Sequence, residues 1–589
     1  MRLSGKVAWA GLIGLFSVPF LIPVHSLPLT SFYTEWWAFL CGLLLFISWI
    51  FSFNSSVEIQ IPRIAWFALA LAALLLLHMG LGLMVYPSQG GLAILYLVWA
   101  ILLMPAASAL SQKYGRDNVL SILAASILVA GLINVIIGVF QAFGIHTAVT
   151  DLLFSLAPPS SAFGNIAQKN NYADYLAIAL CAALYLGYSN KLSWRIVALA
   201  GLVVVFGLTL SGSRSVWLYL IAILLLALLL KARQPGPSAN RLVWFSILAL
   251  AAFQIFQMAL PLLESGQAIA TANSRLQEDA GESMPVRLAL WQDAWHMFAS
   301  NPWLGVGFQN HAWNHFELVR SGHSLFAGQS GYETLRWDHA HNIVLQLMAE
   351  FGLAALVLCF GAVWWLLRLI RNITSVEQWW PVAAISIISI HSLLEYPLWY
   401  ANFLGLFAVL AALAEDRPIS LAIPKGSLSR LGMFLSVLGF GILVFYYTTY
   451  TSLKQAMAGL VSPAPAQKFS GEFQKNFDAA QINPFLEPQV DNLMSQLPII
   501  DPHQLTFVDL QLQLNEKIIR HRADADSIYH RTTLLWLAGY HLEAERWLAG
   551  AIAIYPGSLQ RYIERTEFTF GNTEDLAPLL GMIRKQKSG

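Results

Sequence analysis

The chain has 589 residues, 57% of them hydrophobic and 11% charged, with a mean hydropathy of +0.58. Soluble domains carry about a quarter of their residues as charged types, so this composition excludes an ordinary soluble protein and points to a membrane protein. The net charge is +1 with no Lys/Arg run, which excludes nucleic acid as a partner. Cys41, Cys181 and Cys359 all fall in apolar runs and make neither a disulfide framework nor a metal cluster.

The first segment, residues 1–24, has two cations and then an apolar core, as a signal peptide would. His25-Ser26-Leu27-Pro28 follows in place of a small-x-small cleavage site, so it reads as the first transmembrane helix. A bilayer needs about 20 mostly apolar residues per helix. On that rule the predicted spans are 7–24, 36–53, 64–85, 91–110, 119–143, 172–188, 195–211, 215–231, 242–263, 342–367, 379–394, 401–415 and 431–450, about thirteen in all. With the N-terminus inside, the cytoplasmic segments hold fifteen Lys/Arg and the outer loops six, namely Lys169, Arg214, Arg275, Arg287, Arg320 and Arg336. The positive-inside bias therefore predicts a cytoplasmic N-terminus and an extracytoplasmic C-terminus. The long segments 144–171, 264–341 and 451–589 then share the outer face, where there is no nucleotide pool. Two domains are expected: a transmembrane domain over 1–450, with a large outer loop at 264–341, and a helical domain over 451–589.

Along that outer face, 162-AFGNIAQKNNYADYLAIA-179 gathers Asn165, Gln168, Asn170 and Asn171 just before a span. Carboxamides bind sugar hydroxyls or phosphate, and equally cap helices. The turn in 209-TLSGSRSVW-217 leaves Arg214 at the membrane surface, where it either clamps a phosphate through its paired donors or snorkels to lipid headgroups. In 283-SMPVRLALWQDAWHMFASNPWLGVGFQNH-311, Leu288, Trp291, Trp295 and Phe298 recur at helical spacing, which predicts a helix lying on the membrane with Arg287 and Trp291 on one face.

The stretch 337-WDHAHNIVLQLMAEFG-352 crowds polar residues onto the threshold of a span. Polar groups there are costly unless paired or used. A helix starting near Asp338, with that residue as N-cap, sets His341 in the first turn, where the helix dipole favours the neutral ring and hence a general base. Asn342, Gln346 and Glu350 follow as an inward-facing stripe; the alternative is an interfacial histidine above a polar packing seam. His339-x-His341 is a poor zinc signature without a third placed ligand. In 391-HSLLEYPLWYANFLG-405, His391 and Glu395 are helical neighbours, and Pro397 forces Tyr396 out of helical geometry. Last, 524–557 has the 34-residue rhythm of a tetratricopeptide repeat, with Gly539, Ala544, Leu548, Ala551 and Pro556 at its packing positions. Asp524 and Asp526 there read as helix caps. The tail is either a structural cap or a holder for a polypeptide partner.

In order and sidedness these pieces resemble the O-antigen ligase/polymerase superfamily. Its H-N-x9-G-x-x-G pattern is present as His341, Asn342 and Gly352, with Ala355 in place of the last glycine. Gly164-Asn165-x-x-Gln168-x-Asn170, Ser213-Arg214, Arg287 with Trp291, Pro302-x-x-Gly305-x-Gly307 and Glu395-Tyr396-Pro397-Leu398-Trp399-Tyr400 extend the likeness over most of residues 1–450. Within the superfamily, the set is most similar to the bacterial O-linked protein oligosaccharyltransferases of the PglL type, including the pilin-glycosylating enzymes.

That resemblance implies an all-α, GT-C-like polytopic fold in the bacterial inner membrane, with a repeat-like periplasmic tail. It also implies transfer of a glycan from undecaprenyl pyrophosphate to a serine or threonine of an exported protein such as a type IV pilin. His341 is then the catalytic residue, with Arg214 and Arg287 against the pyrophosphate. Gln168 and Tyr396 orient donor or acceptor, and Asn342, Glu395 and Asn165 are further substrate-binding positions. No metal or other cofactor is expected. The alternatives are an O-antigen ligase acting on lipid A core, a glycan polymerase and, outside the enzymes, a lipid-glycan transporter.

Overall fold

The computed structural model describes residues 3–51, 57–155, 162–263, 271–279, 283–327, 338–423, 425–461, 471–497, 505–570 and 576–588. Arg336 and Trp337, with parts of the expected outer loop and tail, lie outside the described residues. Each of the thirteen expected segments overlaps an α-helix, and 342–367 is divided between two. Among the described residues, seven helices are long and apolar enough to cross a membrane: Phe32–Ile50, Pro87–Tyr114, Arg116–Ala142, Ser215–Arg233, Pro237–Leu262, Leu353–Arg371 and Ser429–Ala458. Shorter apolar helices occupy Gly5–Phe20, Ala65–Gly80, Trp194–Leu210 and Ala401–Ala414. This is a multipass membrane protein built almost wholly of helices.

The chain divides into two compact units. The first comprises 1–71, 95–284 and 358–444; the second comprises 72–94, 285–357 and 445–589.

At the centre of the first unit runs the helix Lys169–Tyr188, buried on every side from Asn171 to Gly187. It packs against Arg116–Ala142, Trp194–Leu210, Ser215–Arg233 and Val376–Ser392. Its alanines at 173, 177, 179, 182 and 183 explain this position: small side chains let neighbouring helices approach closely where lipid supplies no hydrophobic drive. The contact reaches its limit at Gly131, where a Cβ would stand 2.8 Å from that of Ala179. One element of this unit departs from the all-helical expectation. Strands Val57–Ile61 and Ile419–Ile423 pair antiparallel, Val57 opposite Ile423 and Ile61 opposite Ile419. Beside them the fully buried Glu415 carboxylate accepts from Arg368, from the Trp365 indole (3.0 Å) and from the backbone N–H groups of Arg63 and Arg417 (3.2 Å each).

The second unit contains the C-terminal helices. Asp524 caps Ala525–Leu537 by accepting from Ser527 N at 2.9 Å, as expected for that aspartate. Gly539 turns the chain at φ +84°, and His541–Ile554 packs back to give a helix–turn–helix. The loop helix His311–Arg320 joins this core: Phe316 is 1% exposed and stacks on Trp547 with ring centroids 6.2 Å apart.

Candidate active site

In the first unit, three of the motifs read separately from the sequence are wired together. The loop ahead of the central helix is held by side chains from Arg116–Ala142. Asn134 Oδ1 accepts from Asn165 N at 2.9 Å, and Gln141 Oε1 accepts from Gly164 N at 2.8 Å. Asn165 was expected to contact substrate. It is 3% exposed, with Oδ1 accepting from Ser155 N and Nδ2 donating to the carbonyls of Leu21 and Leu153. Both ends of its carboxamide are occupied in holding the loop. Gln168 takes the capping alternative, accepting from Asn171 N at 2.5 Å as N-cap of Lys169–Tyr188. That leaves its side-chain NH₂ as the donor end.

One residue on, Asn170 joins the other two motifs. Its Nδ2 donates to Glu395 Oε1 at 3.1 Å and its Oδ1 accepts from Ser213 Oγ at 2.7 Å. Ser213 is also 2.8 Å from Ser215 Oγ, so the two serines flanking Arg214 belong to the same network. Arg214 itself is the half-buried N-cap residue of Ser215–Arg233, at the positive end of the helix dipole. Glu395 follows the end of Val376–Ser392. Tyr396, at φ −132° and ψ 50°, leaves helical geometry ahead of Pro397 as expected, and its ring lies against Trp399 and Tyr400.

In the second unit the histidine threshold differs from its sequence reading in two respects. The helix starts at Ile343, not near Asp338, and its N-cap is Asn342, whose Oδ1 accepts from Val344 N (3.0 Å) and Leu345 N (3.2 Å). His341 therefore precedes the first turn and lies in the left-handed region at φ +51°. An asparagine caps better than a residue four positions upstream because only its side chain reaches the free N–H groups. His339 packs edge-on to the His341 ring, with centroids 4.0 Å apart, and its Nδ1 accepts from His341 N at 3.3 Å. Burial, and then the neighbouring rings of His341 and His311, push the His339 imidazole down to about 2. It is therefore neutral, and since Nδ1 accepts, the ring proton resides on Nε2.

The polar stripe below has a structural account. Gln346 and Glu350 are 3% and 1% exposed, as expected for an inward face. Gln346 Oε1 accepts from Ala340 N at 2.7 Å, between the two histidines, and Gln346 Nε2 donates to Glu350 Oε1 at 2.9 Å. That oxygen also accepts from Gln309 N at 2.9 Å. The stripe thus fixes the His339–His341 turn and ties it to the 302–310 segment.

The second departure is that the expected span 342–367 breaks at Gly352 into Ile343–Phe351 and Leu353–Arg371. The segment after Pro302 docks on the end of the first piece. Val306 N donates to Ala349 O (2.9 Å), Gly307 N to Glu350 O (3.1 Å) and Leu353 N to Pro302 O (2.8 Å). The glycines of Pro302-x-x-Gly305-x-Gly307 thus serve close backbone approach. Gly352, at φ +69°, would place a Cβ 2.6 Å from Pro302 O and from Trp303 C and O. Gly352→Ala is expected to cost roughly 2–3 kcal/mol, combining left-handed strain with overpacking. A melting curve of the detergent-purified variant measures this, and an unchanged midpoint would contradict the docking account.

Glu350 supplies a pH test, since the helix Ile343–Phe351 precedes the apolar span. Full burial pushes its carboxyl up to about 8, overcoming the lowering by hydrogen bonds from Gln309 N and Gln346. A carboxyl raised in the folded state contributes most stability below its unfolded value near 4.5, and that contribution is lost as pH rises through 8. Melting temperature should accordingly fall between about pH 4.5 and 8 and level off above that, and Glu350→Gln should flatten that slope.

On the helix Ser283–Ser300, Leu288 and Trp295 are more than half exposed, while Ala289, Leu290, Asp293, Ala294 and Met297 form the buried face. Arg287 and Trp291 are half-buried between the two. Sequence reading missed Asp293, which is fully buried and accepts from Ser324 Oγ at 2.8 Å, with His315 Nδ1 also at 2.8 Å. It missed Asp174 too, 2.9 Å from His391 and like it fully buried. The signal available for Asp174 was an acid inside a helix that a span prediction had already claimed.

Known proteins match this chain over both units. The family model described as "O-Antigen ligase" matches residues 197–360, and that described as "Virulence factor membrane-bound polymerase, C-terminal" matches residues 379–566. Among curated relatives, the chain is 27% identical over 405 residues to a "General O-oligosaccharyltransferase" of Acinetobacter baylyi. That alignment covers 66% of each chain, just under two thirds of the relative's length. It is 24% identical over 436 residues to a "ComP-specific O-oligosaccharyltransferase" of the same organism, covering 72% of this chain and 75% of the relative.

Proposed function

As the O-antigen ligase family model matches residues 197–360, we propose that this chain is an O-linked oligosaccharyltransferase of the bacterial inner membrane. The observation that carries this reading is the pair of alignments with proteins so named, which extend beyond the ligase-matched segment. The donor is a glycan on undecaprenyl pyrophosphate, and the acceptor is a serine or threonine of an exported protein such as a type IV pilin. The chain spans the membrane about thirteen times, with a cytoplasmic N-terminus and a periplasmic C-terminus. The tetratricopeptide-like unit at 524–557 belongs to a periplasmic domain that holds the polypeptide.

In the reaction, the acceptor oxygen forms a bond to the anomeric carbon as the bond from that carbon to the pyrophosphate oxygen breaks. His341 takes the hydroxyl proton, and the turn built by His339, Gln346 and Glu350 holds its ring in place. Negative charge grows on the leaving pyrophosphate and is met by Arg214 and Arg287, an electrostatic contribution of several kcal/mol in such sites. Gln168 and Tyr396 orient the reactants, Glu395 and Asn342 act through the networks described above, and Asn165 acts through the loop it holds. The lipid pyrophosphate carries its own activation, so neither ATP nor a metal is required.

The test is expression in cells that supply a lipid-linked glycan and a pilin-like acceptor. A mass increase on the acceptor, unaffected by a chelator, supports the reading. Glycan found only on lipid A core would replace it with the ligase reading, which the match over residues 197–360 favours. Deleting residues 462–589 should abolish modification of the pilin, and unchanged modification would remove the tail from acceptor binding.

A further inference from the structure

In the first unit a second polar layer lies one helical turn beneath the Asn170–Ser213–Glu395 network. Two helices, and a third together with the turn that follows it, contribute to both layers at a spacing of four residues. Asn170 stands over Asp174 and Ser215 over Tyr219, while Glu395 follows His391 and donates its backbone N–H to the His391 carbonyl at 2.8 Å. In the lower layer the Asp174 carboxylate and the His391 Nδ1 are 2.9 Å apart, and both side chains are fully buried. Tyr219 is equally buried, its ring centroid 6.4 Å from that of His391. Asp174 Oδ1 and His391 Nε2 have no hydrogen-bond partner among the described residues.

Packing alone does not account for this layer. A buried ionisable pair holds a bundle together no better than apolar side chains of the same volume, and unsatisfied buried polar atoms are rare and call for a reason. Ionisable groups within a membrane bundle are the ones that mark its working parts. The pair joins the central helix Lys169–Tyr188 to the end of Val376–Ser392, the two elements whose next turns carry Asn170 and Glu395.

We propose that Asp174 and His391 are positioning residues for glycan transfer. Their contact sets the register of the two helices, so that Asn170 and Glu395 meet and Tyr396 is presented in its non-helical conformation. The assignment rests on the transferase reading and places neither residue against the substrate.

The test measures initial rates of the purified, lipid-reconstituted protein with a pilin acceptor and varied lipid-linked donor. Asp174→Ala is expected to raise the donor KM at least tenfold with kcat within threefold of wild type. Asp174→Asn, whose amide oxygen still accepts from the imidazole N–H, should stay within threefold in both. The exchange Asp174→His with His391→Asp should recover most of the lost KM. A purely structural role would instead lower the active fraction, reducing kcat with KM unmoved, and that result overturns the proposal. Should the alanine variant fail to reach the membrane, Asp174→Glu, which keeps the charge but displaces the contact, takes its place; a wild-type KM there is equally fatal. Wild-type protein without transfer activity would remove the reading and the inference together. Active wild type, inactive His341→Gly and an unaltered KM in the Asp174 variants would remove the inference alone.

Discussion

His341→Gly should lower glycan transfer by between about 100- and 10,000-fold, the range over which a positioned general base contributes. Glycine is the informative replacement because residue 341 sits at φ +51°, a conformation glycine adopts without strain and alanine does not. His341→Asn is a second control, since asparagine also tolerates the left-handed region and keeps a polar side chain. If the imidazole is the base, Gly, Asn and Ala are all inactive, and the Gly variant keeps its melting temperature. If the residue matters for its backbone alone, Gly and Asn retain activity and the base assignment falls. The neighbouring ring cannot substitute: His339 is buried and neutral, and its Nδ1 already accepts from the His341 N–H.

Arg214→Ala should reduce kcat by about 100- to 1,000-fold, the usual loss when a preorganised donor to developing charge is removed. The residue occupies the N-cap position of Ser215–Arg233, so the fork of its guanidinium and the positive end of the helix dipole would act on the same anion. Arg214→Lys keeps the charge without the fork and should fall between the two. The competing account, an arginine snorkelling to headgroups, predicts near-normal kcat for both variants together with poorer membrane insertion. Single-turnover rates at saturating donor separate the two.

The membrane character, the helical class and the positions of the apolar helices were legible in the sequence, because a polar residue in hydrocarbon is costly and its rarity marks apolar segments. The same cost made the polar exceptions conspicuous, and His341, Arg214, Gln168, Glu395 and Tyr396 were singled out that way as candidates. Local chemistry was legible where its partners are local, as in the Gln168 and Asp524 caps and the break at Pro397. What only the tertiary structure decided is which exceptions meet. Asn170 reaches Glu395 across 225 residues, Asp174 reaches His391 across 217, and the strand at 57–61 finds its partner at 419–423. The break at Gly352 was hidden for the same reason: its cause is the backbone of residues 302–303, distant in sequence and invisible to any local pattern of hydrophobicity. Helical periodicity assigns a residue to a face of its own helix. The neighbour that face meets depends on packing between helices, where small side chains and close backbone approach decide the outcome.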